Sequence, residues 1–309
     1  MNLHTKDEFK ELITLTARER HIPETAIERD YFIVRSLLFL SQSDYANNCV
    51  FKGGTSLSKC YPGTIERFSE DIDLTFIPEE GMNNKQIEKQ LKNVEKIMTQ
   101  DSEVEKINES RNDRNKSSYF WYGNRDNKIK LEIGSSVRPD PYGMKTLKTY
   151  IQEYLEEHGY NDAVIEFELK SVSINVLNIE RTFLDKIMAV KRHAFCGTIK
   201  DKARHIYDVT KLLRLPDIKQ FLNDPVELKR LIELTKETDA FYLEKRNCPK
   251  EYNPKDLYGF EQWREMFLVA KEPYEKLHED LLYTDEPQDF EDAIKGFELI
   301  SNIFKQINE

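Results

Sequence analysis

The feature that most constrains this chain is a pair of glycines set between a short apolar run and a helix-forming segment, with two aspartates a short way on. The first block reads Val50-Phe51-Lys52-Gly53-Gly54-Thr55-Ser56-Leu57-Ser58-Lys59, and the second Arg67-Phe68-Ser69-Glu70-Asp71-Ile72-Asp73-Leu74. The second block predicts a strand, because Ile72, Leu74 and Phe76 alternate with Asp71, Asp73 and Thr75 and strand side chains repeat every two residues. Both aspartates therefore leave one face. At a rise of about 3.3 Å per residue they stand roughly 6–7 Å apart, close enough to share divalent cations. In the first block an apolar strand runs into Gly53 and Gly54, and a helix then starts at Thr55 and Ser56. Bare backbone N–H groups, small hydroxyls and a helix dipole make a phosphate cradle, with Lys52, Lys59 and Arg67 around it. Ser69 either touches a phosphate or orients the Asp71 strand; a plain turn hydroxyl is the simpler reading. A nucleoside triphosphate carried on Mg²⁺, with Mn²⁺ as an alternative, uses both blocks.

These blocks resemble the AbiEii/AbiGii-type nucleotidyltransferase toxins, a branch of the polymerase-β-like nucleotidyltransferases found in bacterial toxin–antitoxin and phage-defence (abortive infection) loci. The resemblance rests on Gly53-Gly54-Thr55-x-Leu57 and the Arg67-to-Leu74 block. A further stretch adds to it, in which Thr182-Phe183-x-Asp185-Lys186 is followed by Arg204-His205-x-Tyr207-Asp208. It implies an α+β fold, with a mixed-sheet nucleotidyltransferase core, flanking helices and an all-helical C-terminal domain that completes the cleft. It implies transfer of a nucleoside monophosphate from an NTP to an acceptor hydroxyl, with Asp71 and Asp73 as metal ligands. Lys186 takes the family's triphosphate-contacting position, and Asp208 completes the site from the helical domain. Glu132, in Lys130-Leu131-Glu132-Ile133, falls where the superfamily places a third carboxylate that acts on the attacking hydroxyl. The acceptor implied is RNA, the 3′ end of tRNA in particular, and the partner is a cognate antitoxin protein, a transcriptional regulator in one form. Asp185 departs from the pattern, since the family more often has Glu there.

Simpler readings stand beside these. A charged residue between Leu131 and Ile133 is what any half-exposed strand shows, and Asp208 can pair with Arg204 at i, i+4 for a few tenths of a kcal/mol. Nucleotide or phosphate transfer to a protein hydroxyl fits the same motifs. A catalytically silent binding subunit is disfavoured by the intact carboxylate pair, and a two-metal nuclease by the cradle.

A chain of 309 residues accommodates two domains, expected over residues 1–177 for the nucleotidyltransferase domain with its leading helices and 178–309 for the helical domain. No leading apolar h-region and no run of about 18 apolar residues occurs, so the expectation is a cytoplasmic protein without a membrane partner. Cys49, Cys60, Cys196 and Cys248 are scattered without a Cys-x-x-Cys, which argues against a zinc ribbon or a disulfide framework. A net charge of −10 argues against indiscriminate nucleic-acid binding but leaves room for a local basic stretch. Lys186, Lys191, Arg192, Lys200, Lys202 and Arg204 form one. Neither a Walker-type run nor a His-Glu-x-x-His pattern is present, so P-loop ATPase and zinc hydrolase readings fail.

Along the chain, apolar spacing predicts helices over 7–20 and after Pro23, a turn at 78–81 and a long helix over 85–107. Strands are expected over 117–122 and 129–133, joined by the hairpin-forming 123–127, then a helix over 146–157 and one or two strands over 164–176. Asn178 is a natural N-cap for a helix that buries Phe183, Ile187, Val190 and Ala194, with Lys186 and His193 at the edge of the core. The next helix turns Ile206, Val209 and Leu213 inward. Helical spacing continues over 226–235, 262–283 and 290–307, with a loop over 247–255. Trp263, Phe267, Tyr274 and Phe297 are expected in a helical core.

Overall fold

A computed structural model describes residues 1–241, 248–277, 282–284, 286 and 288–307. They form two compact units. The first comprises Met1–Cys60 and Phe68–Leu177, the second Tyr61–Arg67 and Asn178–Glu309. The change from period-two alternation to helical spacing at Leu177-Asn178 is also the change of unit, whereas the excursion of Tyr61–Arg67 into the second unit leaves no mark in the sequence.

The first unit is built on a seven-stranded sheet in the order β3-β4-β5-β2-β1-β7-β6. Its strands are β1 (Cys49–Lys52), β2 (Asp71–Phe76), β3 (Glu103–Lys106), β4 (Asn115–Trp121), β5 (Ile129–Gly134), β6 (Tyr142–Leu147) and β7 (Val172–Leu177). β2 runs parallel to β5 and β1 parallel to β7, and the other pairs are antiparallel, so the sheet is mixed. Ile72, Leu74 and Phe76 are buried, as their alternation requires. The helices of this unit are α1 (Glu8–Arg20), α2 (Glu24–Ser41), α3 (Gly53–Cys60), α4 (Asn84–Met98), α5 (Tyr150–Glu157) and α6 (Asn161–Glu166). α2 is buried on most of its circumference, and even its polar Ser36 is satisfied there, donating to the Met98 carbonyl at 2.7 Å.

Three local expectations are corrected. The helix predicted over 85–107 ends at Met98, and Glu103–Lys106 instead forms edge strand β3 against β4. After the C-cap at Thr99, Asp101 turns the chain with a left-handed φ of 60°, and inter-strand pairing then claims a segment whose only apolar residue is Val104. Residues 142–147 are strand β6, and the following helix starts late, at Tyr150, where the Thr149 side chain accepts from the Gln152 N–H. In 164–176 only Val172–Leu177 is strand; α6 precedes it, and Glu168 at φ 51° separates the two.

The helices of the second unit are α7 (Ile179–Phe195), α8 (Ala203–Leu212), α9 (Pro216–Leu222), α10 (Pro225–Phe241), α11 (Phe260–Leu268), α12 (Lys271–Glu275) and α13 (Phe290–Gln306). Asn178 precedes α7, though its side chain makes no capping bond. Phe183, Ile187, Val190 and Ala194 are buried, as are Ile206 and Val209, while Leu213 is only half-buried. The helical run expected over 262–283 is divided between α11 and α12, and its residues 278–281, like residue 247 of the expected loop, lie outside the described residues. Trp263, Phe267, Tyr274 and Phe297 are all buried and pack with Phe260 and Phe290. The Trp263 indole donates to the Tyr258 carbonyl at 2.9 Å, so the ring is buried without an orphaned N–H. Tertiary folding also brings two of the scattered cysteines together: Cys196 Sγ and Cys248 Sγ are 3.2 Å apart as free thiols.

Candidate active site

In the first unit the glycine turn and the aspartate pair are built into one structure. β1 ends at Lys52, and Gly53 turns the chain directly into α3 with φ 87°, a conformation that costs an L side chain roughly 1–2 kcal/mol. A second constraint acts on the same residue. A Cβ on Gly53 would lie 3.2 Å from Asp73 Cγ and within clashing distance of Asp73 Oδ2. Only glycine lets the carboxylate close on the start of the helix.

Strand register aligns the charged groups. Lys52 pairs with Asp73 across β1 and β2, and Asp73 pairs with Glu132 across β2 and β5, while Asp71 pairs with Lys130. Directly paired residues project to the same face. Lys52, Asp73 and Glu132 therefore form one row on that face, and Asp71 and Lys130 form the next. Lys52, Asp71, Asp73, Lys130 and Glu132 are all half-buried, at the boundary of protein and solvent. Lys130 Nζ forms an ion pair with Glu132 Oε1. Burial alone would lower the Lys130 pKa, but the negative charges of Glu132, Asp71 and Asp73 outweigh it and hold the ammonium above its usual range.

The hydroxyls of the cradle have partners within the protein. Thr55 is buried, and its Oγ1 donates to the Asp71 carbonyl at 2.5 Å. Thr55 Oγ1 also lies 3.0 Å from Ser69 Oγ; since a hydroxyl has one proton, Ser69 supplies the proton of that second bond. Ser56, fully buried, donates to the Gly53 carbonyl at 2.9 Å. Thr55 and Ser69 thus tie α3 to the start of β2, Ser56 bonds within the first turn of α3, and the half-exposed part of the cradle is Lys52, Gly53 and Gly54. Lys59 is buried as well, in an ion pair with Asp30 at 2.7 Å and over the Tyr150 ring at 3.7 Å. It anchors the far end of α3 to α2 and α5. Glu70, beside Asp71, pairs with Arg29 of α2.

In the second unit, Asp208 is fully buried between two cations. Arg67 binds it with both arms, Nε to Oδ1 at 2.6 Å and an NH to Oδ2 at 2.7 Å, and Lys186 Nζ lies 2.7 Å from Oδ2. Burial pushes the Asp208 pKa up, but Arg67 and Lys186 overcome it and hold the carboxyl below the usual range. The Arg204 partner considered for Asp208 is replaced by Arg67, and Lys186, expected at the core's edge, is buried. Burial and the nearby Lys186, Lys202 and Arg67 charges push the His205 pKa well down. Asp185, the family departure, pairs with Arg181 at 2.9 Å. Besides Lys186, two more members of the basic stretch are structural. Lys191 donates to the Leu257 carbonyl at 2.7 Å and Arg192 pairs with Asp239.

Sequence reading missed Lys130 and the Arg67–Asp208 pair. Lys130 had a signal, since it stands two residues before Glu132 on an alternating strand and so shares its face. Arg67 had none, because nothing local relates it to α8.

Among the described residues no cluster of three or more His, Cys, Asp or Glu side chains converges to hold a metal ion. The donor set is Asp71 and Asp73 on one strand face. That fits Mg²⁺, which is commonly bound by one or two carboxylates with substrate phosphates and water completing its octahedron. Among the described residues no helix is long and apolar enough to cross a membrane.

Comparison with known proteins gives three findings. A family model, the nucleotidyl transferase AbiEii toxin of type IV toxin–antitoxin systems, matches residues 36–296. Curated proteins give no match. Among solved structures, the nucleotidyltransferase toxin MenT4 of Mycobacterium tuberculosis is similar at 15% identity, covering 96% of this chain and 98% of that chain with a TM-score of 0.49. JHP933 of Helicobacter pylori is similar at 19% identity over 83% of this chain and 95% of that chain, with a TM-score of 0.37. The family match spans most of the chain, including both motif blocks and the mixed sheet that carries them, and the chain belongs to the AbiEii family of nucleotidyltransferase toxins.

Proposed function

We propose that this nucleotidyltransferase transfers a nucleoside monophosphate from an NTP to the hydroxyl of an RNA acceptor, the 3′ end of a tRNA, as the toxin of a toxin–antitoxin or phage-defence (abortive infection) system. The observation that carries the reading is the closure of Asp73 on Gly53, which sets a carboxylate beside the backbone turn that opens α3. In this reading Lys52, Gly53 and Gly54 hold the triphosphate by charge, by backbone N–H groups and by the helix dipole. Thr55 and Ser69 position that turn against β2, and Ser56 braces its first carbonyl.

Asp71 and Asp73 would hold Mg²⁺. When bound, such ions supply charge stabilisation to the attacking and leaving oxygens of an in-line displacement. Glu132 accepts the proton of the attacking hydroxyl once its carboxylate is released from Lys130. The family resemblance gives Lys186 the triphosphate-contacting role, and Asp208 keeps Arg67 and Lys186 in place within the second unit.

Support for an RNA acceptor comes from the family resemblance and from the basic stretch around Lys200, Lys202 and Arg204, whose other members Lys186, Lys191 and Arg192 make internal bonds. The deciding experiment incubates the protein with each labelled NTP and Mg²⁺, in the presence of total tRNA or cell protein. Label in tRNA supports the reading, and label in protein bands alone replaces it with protein modification. A co-expressed cognate antitoxin should relieve growth arrest caused by the active chain; normal growth with abundant active enzyme would count against the toxin role.

A further inference from the structure

Three carboxylates and the Lys130 ammonium lie on one face of β2 and β5, with Lys52 of β1 in the same row as Asp73. Asp71 is paired with Lys130 and Asp73 with Glu132, on adjacent parallel strands. Carboxylates placed side by side across strands repel one another, and a cation beside Glu132 relieves that repulsion. Lys52, half-buried at the end of β1, is paired with Asp73 from the other side, and Lys130 on β5 has its ammonium bound to Glu132.

We propose that Lys130 is the built-in counter-cation of this patch, a positioning residue that holds Glu132 and takes the place of the divalent ion until metal and nucleotide arrive together. The proposal rests on the reading of Asp71 and Asp73 as metal ligands. Lysine suits the task, being a point charge on a flexible four-carbon stem, and its side chain is about one-third exposed, so it has solvent to swing into. A divalent cation approaching these carboxylates without nucleotide meets the repulsion of Lys130. A cation that comes with a triphosphate brings negative charge that draws the ammonium off Glu132. Two consequences follow. The free protein binds metal weakly, and the nucleotide raises its metal affinity strongly. Glu132 becomes available to accept a proton only when the substrate is in place, which discourages unproductive activation of water.

The test is Mn²⁺ binding followed by electron paramagnetic resonance, with and without a non-hydrolysable NTP analogue, together with thermal melting of the metal-free protein. Lys130→Met should bind Mn²⁺ on the order of tenfold more tightly without nucleotide, as expected when a unit charge close to a divalent ion is removed at a solvated site. The gain in affinity on adding the analogue should shrink correspondingly. Metal-free Lys130→Met should melt at a lower temperature than wild type and recover the difference when Mg²⁺ is added, whereas Lys130→Arg should stay close to wild type. Unchanged or weaker Mn²⁺ binding by Lys130→Met, while Asp71→Asn abolishes binding, overturns the proposal and leaves the metal reading standing. Wild-type Mn²⁺ binding by both Asp71→Asn and Asp73→Asn removes the metal reading itself, and the counter-cation role with it.

Discussion

Arg67 and Asp208, 141 residues apart in the chain, meet through two parallel hydrogen bonds of 2.6 and 2.7 Å in a buried site. The pair ties the short Tyr61–Arg67 segment to α8 within the second unit. A bidentate guanidinium–carboxylate contact fixes orientation as well as distance, and the third member, Lys186, is held by the same carboxylate.

Replacing Asp208 therefore strands two buried cations. Asp208→Asn is expected to lower unfolding stability by about 3–5 kcal/mol, the range for breaking a buried ion pair, as measured by urea denaturation. The pH dependence has a definite sign. The Asp208 pKa is lower in the folded chain than its ordinary 3.8. Its contribution is thus fully present above that value and is lost as pH falls through the lower folded value. Wild type should lose this increment on acidification below about pH 4, and Asp208→Asn should show a flatter acid limb. Loss of transfer in this variant has to be judged at a denaturant-free temperature where it is still folded. Lys186→Ala is the cleaner probe of chemistry, because Arg67 still satisfies Asp208.

Gly53→Ala tests the glycine turn. The substitution forces a side chain into a left-handed φ and against the Asp73 carboxylate. Far-UV circular dichroism should be retained, with a stability loss of roughly 1–2 kcal/mol from backbone strain. Mn²⁺ and NTP binding should both fall. Wild-type affinity for both would show that the approach of Asp73 to Gly53 has no part in substrate binding.

Thr55 separates positioning from phosphate contact. Thr55→Val leaves the Asp71 carbonyl and the Ser69 hydroxyl without their partner and should cost about 1–3 kcal/mol together with a reduced kcat. Thr55→Ser keeps the hydroxyl and should restore both. A rise in KM for NTP with unchanged kcat and stability would instead identify Thr55 as a phosphate ligand.

The thiols should label in a fixed order. Burial pushes Cys49 and Cys60 up to about 12, so native protein should leave both unalkylated. Burial and the neighbouring Cys248 raise Cys196 to about 11. Its iodoacetamide reaction at pH 8 should run roughly a hundredfold slower than that of free cysteine and accelerate as pH rises, because the thiolate is the nucleophile. Peptide mass spectrometry of a labelling time course gives the rates. Rapid labelling of Cys196 at neutral pH would contradict this environment.

The part of the molecule legible in the sequence is the part fixed by local periodicity. Alternation alone puts Asp71 and Asp73 on one face, and helical spacing marks α1, α2, α7 and α8 and the buried Trp263, Phe267, Tyr274 and Phe297. The two glycines announce a turn, and at Gly53 its φ of 87° is one that side chains disfavour. Long-range pairing decided the rest. Segments 103–106 and 142–147 have weak or misleading local preference, and they become strands because β4 and β7 offer them hydrogen-bond partners. The row of Lys52, Asp73 and Glu132 exists only through the register of three strands, and register depends on packing across the sheet. Arg67 meets Asp208, and Cys196 meets Cys248, for the same reason. A contact between residues far apart in the chain is set by how elements pack, and no periodicity within either element records its partner.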